Sequence, residues 1–133
     1  MREITSDLLK AVGGRPEQIA LWIERGGDQN PLTLDFCLSL TRRFDFGLVT
    51  GSLVSRRARA RSRYDFLKKI AWEKYQAAEG PAREKLCHGD SAKARNAYER
   101  VRRAAVMEYQ RACASAFFHA WTSPANQKEQ VAA

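Results

Sequence analysis

Five arginines fall within eight positions, Arg56 to Arg63, in the stretch SRRARARSRY. Only alanine and serine separate them, and no lysine interrupts the run. Guanidinium groups make paired, planar contacts with phosphate that an ammonium cannot make. The chemistry at hand is therefore anion capture. Arg42 and Arg43 stand just upstream. Lys68 and Lys69 follow, and then Lys93, Arg95, Arg100, Arg102, Arg103 and Arg111. Only Asp65 is acidic between Asp45 and Glu73, so the run has little internal compensation. If a helix begins here, these cations sit at the positive end of its dipole, an unfavourable place by roughly 0.3–1 kcal/mol near the end. An anionic partner would relieve both strains. The plainer alternative is a set of side chains that lay their stems on the protein and their charges in water.

Other chemistry is thinly supported. Cys37, Cys87 and Cys113 form no CxxC, and the two histidines, His88 and His119, form no HxxxH. The adjacent Cys87-His88 is not a zinc-finger pair, and Cys113 and His119 on one helix point about 120° apart. A Cys–His nucleophile has no better support. The segment GLVTGS lacks the Lys-Ser/Thr ending of a phosphate-binding loop, and Gly13-Gly14 is a helix stop rather than part of GxGxxG. The expectation is a protein that is not an enzyme and uses no metal, cofactor or small-molecule substrate. Three cysteines without a framework spacing indicate reduced thiols and a cytoplasmic setting. The expectation is also of no leader sequence, since residues 1–10 hold no apolar run, and no apolar stretch here reaches membrane length.

The elements that must carry the arginines read as helices throughout. Charge divides the chain: residues 1–51 are nearly neutral, at net −1, and residues 52–133 carry net +9. In the first part, TSDLLKAV (5–12) is a short helix capped by Thr5 or Ser6 and ended by Gly13-Gly14. A second helix starts with Pro16 in its first turn and stops at Gly26-Gly27. A third, over 31–44, has Asn30 as its cap and an apolar face of Leu32, Phe36, Leu40 and Phe44. DFGLVTGS (45–52), with two glycines, reads as a break.

Two long stripes follow. Ala60, Tyr64, Leu67, Ala71, Tyr75 and Ala78 repeat in steps of three and four within a helix over 52–78 that Gly80-Pro81 ends. Ala94, Tyr98, Val101, Ala105, Tyr109, Ala112, Ala116 and Ala120 repeat likewise from Ala92 to about Trp121. Roughly a dozen residues join the two. The predicted fold is all-α: three short N-terminal helices (1–51) packed on a long antiparallel helical hairpin (52–123), with a polar tail over 124–133. No stretch alternates as a strand would.

On a 100° wheel with Arg56 at 0°, the stripe from Leu67 through Tyr64 to Tyr75 spans about 20° to 100°. Arg63 and Arg59 lie near 340° and 300°, and Arg57, Lys68 and Arg61 near 100°, 120° and 140°. The cations thus flank the stripe on both sides. An antiparallel return brings Arg111 toward them and leaves Arg95 away.

Two functions fit. The first is nucleic-acid binding without catalysis, with Arg56, Arg57, Arg59, Arg61 and Arg63 clamping phosphates, helped by Lys68, Lys69 and Arg111. DNA and RNA share the phosphate chemistry. Tyr64 stacks on a base if the run orders only on binding. The second is a protein-interaction module, inhibitor or homodimer that docks through aromatic faces. Trp72, Phe118 and Trp121 are its anchors and the arginines steer encounter. Within FFHAW (117–121), capping of the core competes with this role. A helix-turn-helix over 15–44 is weak, because the second helix begins with Leu, Phe and Cys rather than with polar base readers. A membrane-surface role lacks a hydrophobic face free for lipid.

Overall fold

The computed structural model of the chain describes residues 3–40, 44–54, 59–89 and 91–123. These form helices with no strand among the described residues: α1 (Ser6–Ala11), α2 (Pro16–Glu24), α3 (Leu34–Ser39), α4 (Phe46–Leu53), α5 (Arg59–His88) and α6 (Ala92–Thr122). The expected architecture is present. Short N-terminal helices pack on a long antiparallel pair, α5 and α6. None of the described helices is long and apolar enough to cross a membrane.

Local chemistry sets the ends of the first two helices. Thr5 caps α1 by accepting from Leu8 N–H at 3.1 Å. Pro16 opens α2, where a missing N–H costs nothing. Both helices end in the same motif. Gly13 and Gly26 take positive φ, of 84° and 79°. The N–H of the next glycine then reaches back five residues, Gly14 to Leu9 O at 2.8 Å and Gly27 to Trp22 O at 2.9 Å. Gly27 is needed for a second reason: a Cβ there would lie 2.3 Å from the Trp22 ring.

Four expected boundaries are corrected. The third helix is shorter than 31–44 and is capped by Thr33, which accepts from Phe36 N–H at 3.1 Å. Asn30 serves α2 instead, donating from Nδ2 to Gly26 O at 2.9 Å. The break at 45–52 is helix α4. Phe46, Val49 and Leu53 bury one side of it, and the Thr50 hydroxyl donates to Phe46 O at 2.7 Å. The apolar spacing of three and four outweighs the helix cost of Gly47 and Gly51, about 1 kcal/mol each against alanine. The first long helix does not end at Gly80-Pro81 but continues to His88 with Pro81 inside it. Gly80 has no Cβ to collide with the proline ring. Beyond it, Ala82 and Leu86 line a cleft with Ala94 and Tyr98 of α6. The turn between the long helices is therefore short, near Gly89 and the cap Ser91. The polar tail, 124–133, lies outside the described residues.

The core is a chain of rings. Phe36 meets Trp22 edge-on at 5.1 Å, Trp22 meets Phe44 at 5.9 Å, and Phe44 meets Phe46 at 4.9 Å. Phe46 then meets Phe117 at 5.3 Å, and Phe117 stacks toward Trp121 at 6.4 Å. This line ties α2, α3 and α4 to the end of α6. Along the hairpin the register falls as an antiparallel pair requires. Ala60 and Tyr64 share a cleft with Ala116 and Ala120, Trp72 meets Tyr109 at 5.5 Å, and Glu79 accepts from Tyr98 Oη at 2.8 Å. Burial is uneven. Between Ala71 on α5 and Ala105 on α6, Glu79 is the one buried residue among those described.

Asp28 fastens the N-terminal helices electrostatically. Its carboxylate accepts from the Ser6 hydroxyl, from Ser6 N–H at 2.7 Å and from Trp22 Nε1 at 3.2 Å. These bonds, the Ser6 hydroxyl first, hold its pKa below the ordinary 3.8. A depressed carboxylate pKa stabilises the fold above the unfolded value, and that stability is lost as pH falls through the folded one. Unfolding midpoints in urea should therefore drop on acidification below about pH 4. Asp28→Asn should be less stable than wild type at pH 7 and show a shallower acid-side decline. Parallel decline of the two proteins would mean that Asp28 does not contribute.

Candidate nucleic-acid interface

The described arginines of the run, Arg59, Arg61 and Arg63, open α5, whose first turn holds no acidic residue. Arg56, Arg57 and the upstream pair Arg42-Arg43 lie outside the described residues. The other nominated cations separate by direction. Relative to the buried Tyr64, Arg61 and Lys68 lie about 60° and 40° to one side, toward α4. Arg59 and Arg63 lie about 140° and 100° to the other side. The expected flanking on both sides holds, and the two sides do different things.

Arg61 is a structural residue, which corrects its assignment to the clamp. Its Nη1 donates to Thr50 O at 3.2 Å, in the last turn of α4, and to Val54 O at 3.1 Å, just beyond it. Its Nε pairs with Asp65 at 3.3 Å, and its side chain is 18% exposed. A guanidinium at the wrong end of one helix dipole thus occupies the right end of another. Lys68 is half-buried beside it. A Cβ added at Gly47 would lie 3.3 Å from Lys68 Nζ and 3.2 Å from Asp45 Oδ1, so both groups crowd the glycine face of α4.

Tyr64 cannot stack on a base in this fold. It is 2% exposed, and its hydroxyl has no hydrogen-bond partner among the described residues. Burial pushes its phenol up to about 12, with the neighbouring Thr50 hydroxyl acting against the shift.

The opposite side of α5 is open. Arg59, Arg63 and Lys69 are exposed, without an ion pair among the described residues. They surround Phe66, which is 61% exposed. Arg59 lies within about 20° of Phe66 on the wheel, and Arg63 and Lys69 lie about 60° to either side, one turn below and one above. Ile70, half-buried, completes the patch. Arg111 is also exposed and points within about 40° of Ser115. Ser115 lines a groove of about 250 Å³ with Leu67 and Ile70. Arg111 therefore stands on the α6 side of that groove, one turn before Ser115. A neighbouring cleft places Arg63 and His119 together with Leu67 and Ala116. Glu73, on the same side of α5 one turn beyond Lys69, and Glu108, one turn before Arg111, border the face with negative charge.

Phe66 was not singled out as a site residue from sequence. The signal was its spacing: three residues after Arg63, three before Lys69 and off the buried stripe. The place of His119 beside Arg63 follows only from the register of the helical pair.

The aromatic anchors fare differently from one another. Trp121 is 1% exposed and Phe117 likewise, because the N-terminal helices close over that end of α6. Trp121 is a core residue, which corrects its place among surface anchors. Phe118 is half-buried against the same core. Trp72 keeps 46% exposure but is packed on Tyr75 at 5.1 Å and Tyr109 at 5.5 Å.

Two of the three cysteines are shut away from reaction. Cys37 and Cys113 are buried, and burial raises both thiols, Cys37 to about 12. Both are protonated at neutral pH. No group of three or more metal-ligating side chains exists among the described residues. The chain matches no protein-family model, no curated protein and no solved structure.

The division of the arginines is measurable as stability. Arg61→Ala should cost about 1.5–3 kcal/mol, the range for hydrogen bonds made by a charged group. Arg59→Ala and Arg63→Ala should stay within about 0.5 kcal/mol of wild type, as exposed sites do. Equilibrium unfolding of the three variants checks this. Equal effects would remove the distinction.

Proposed function

We propose that the chain binds nucleic acid without catalysis, through the outer face of α5 and the adjoining rim of α6. The supporting observation is the set of exposed cations without an ion pair among the described residues: Arg59, Arg63 and Lys69 about an exposed aromatic ring, with Arg111 on the adjoining helix. The α5 and α6 segments together carry fourteen Lys/Arg against six Asp/Glu. A phosphate polymer neutralises such a face and releases its own condensed counterions, which makes affinity fall with salt. Two of these cations are arginines one turn apart, about 6 Å along the axis, suited to bidentate capture. Arg56 and Arg57 immediately precede the face and extend the cation run by sequence. Arg61 and Lys68 face α4 and take no part.

The quadruple variant Arg59→Ala, Arg63→Ala, Lys69→Ala, Arg111→Ala tests the proposal against nucleic acid in a salt series. Each lost phosphate contact lowers the slope of log K against log salt by about 0.7–0.9, so the slope should fall by about 3. A control that removes Lys85, Lys93, Arg100 and Arg103 from the distal hairpin changes net charge equally and should retain most of the affinity. Equal losses in the two variants would reduce the interaction to net charge. Binding of wild type no tighter than the quadruple variant would overturn the proposal.

A further inference from the structure

Resting on the nucleic-acid reading, we infer that this face selects single strands over duplex, with Phe66 as the platform on which one base stacks. Phe66 points about 160° from Tyr64, away from both α6 and the N-terminal helices. No ring partner covers it among the described residues, whereas Trp72, Tyr75 and Tyr109 cover one another. It is the most exposed of the large hydrophobic residues, at 61%. Arg59, Arg63 and Lys69 lie within about 11 Å of it along the helix axis, below and above. Cations that follow a backbone and a ring that takes a base between them are the two components of single-strand binding.

The neighbours of Phe66 argue against duplex. Reading base edges in a groove takes hydrogen-bonding side chains at the centre of the face. Here the centre is Phe66 and Ile70, and the charged groups lie around them. A duplex keeps its base faces stacked on one another, and insertion of a ring between them costs a few kcal/mol. A single strand presents those faces freely. Its bases cover the phenyl ring while its phosphates meet the guanidinium groups. The groove beyond, lined by Leu67, Ile70, Ala112 and Ser115, gives the strand an apolar continuation toward Arg111.

The test measures fluorescence anisotropy with three probes of one sequence: single-stranded DNA, single-stranded RNA and the DNA duplex. Wild type, Phe66→Ala and Phe66→Trp are compared at one salt concentration and then across a salt series. Wild type should bind at least one of the single strands about tenfold or more tighter than duplex, and the two single-stranded arms identify which polymer is favoured. Phe66→Ala should lose about 10- to 100-fold on that strand, the worth of one stacked base. Its salt slope should be unchanged, because no phosphate contact is removed. Phe66→Trp should restore the affinity, and its indole emission should change on binding. Because Phe66 is exposed, unfolding of both variants should match wild type. Equal affinity for duplex and single strand, or a Phe66→Ala variant that binds as wild type does, overturns single-strand selection and leaves the phosphate face standing. Absence of binding to all three probes overturns both.

Discussion

Trp22 decides where the rest of the molecule can go. Its ring is 2% exposed and starts a line of aromatic contacts through Phe44 and Phe46 to Phe117 and Trp121. Large rings each contribute a few kcal/mol on burial, and a continuous line of them cannot be broken at one member without cost to its neighbours. That line attaches the N-terminal helices to one side and one end of α6. It also fixes what they leave uncovered, namely the outer face of α5 and the distal half of the hairpin. The exposure of Phe66 and the burial of Trp121 have the same cause.

The distal hairpin survives on different terms. Alanines face tyrosines across the pair, and Glu79, almost fully buried, is held by Tyr98 Oη with Arg83 Nε 3.8 Å away. A buried carboxylate is costly unless its lone pairs are engaged. The Tyr98 bond meets that need and raises the phenol above its ordinary 10.0. Two helices with so small a core are less protected against local opening than the base of the hairpin, where the rings lie.

Much of this was legible in the sequence because helical periodicity is a strong signal. The two stripes, the glycine stops after α1 and α2, a cap for α1 at Thr5 or Ser6 and the all-α class all follow from spacing and turn chemistry. The errors have physical reasons. α4 was hidden because Gly47 and Gly51 lower helix propensity, while the burial of Phe46, Val49 and Leu53 comes from contacts distant in sequence. Pro81 was read as a stop because local rules omit the support that α6 gives to residues on both sides of it. At the site, the wheel separated Arg61 from Arg59 and Arg63 correctly. It could not say that a helix end would lie on Arg61's side, because that helix had been read as a loop. Trp121 was ambiguous for a similar reason. An aromatic residue at a helix end has the same pattern whether a neighbour covers it or water does.

The fate of Arg61 also supplies the argument for its neighbours. Guanidinium groups in the first turn of a helix oppose its dipole and one another. The fold resolves this conflict once, by giving Arg61 two carbonyls at the end of α4 and the carboxylate of Asp65. Arg59 and Arg63 face the same penalty, yet Thr50 and Val54 do not reach them, and the nearest carboxylate of the run, Asp65, is engaged with Arg61. Lys69 adds charge one turn further on. Beside these cations stands Phe66, a large apolar side chain left in water. A sequence under selection for stability alone would remove at least one of these features, since a surface substitution at Phe66 or Arg59 disturbs no packing. Local conflicts of this kind, where the chain's own packing gains nothing, are expected at functional surfaces. The proposed strand would answer both features of this face: negative charge at about the spacing of a helical turn, and flat apolar surface between the charges.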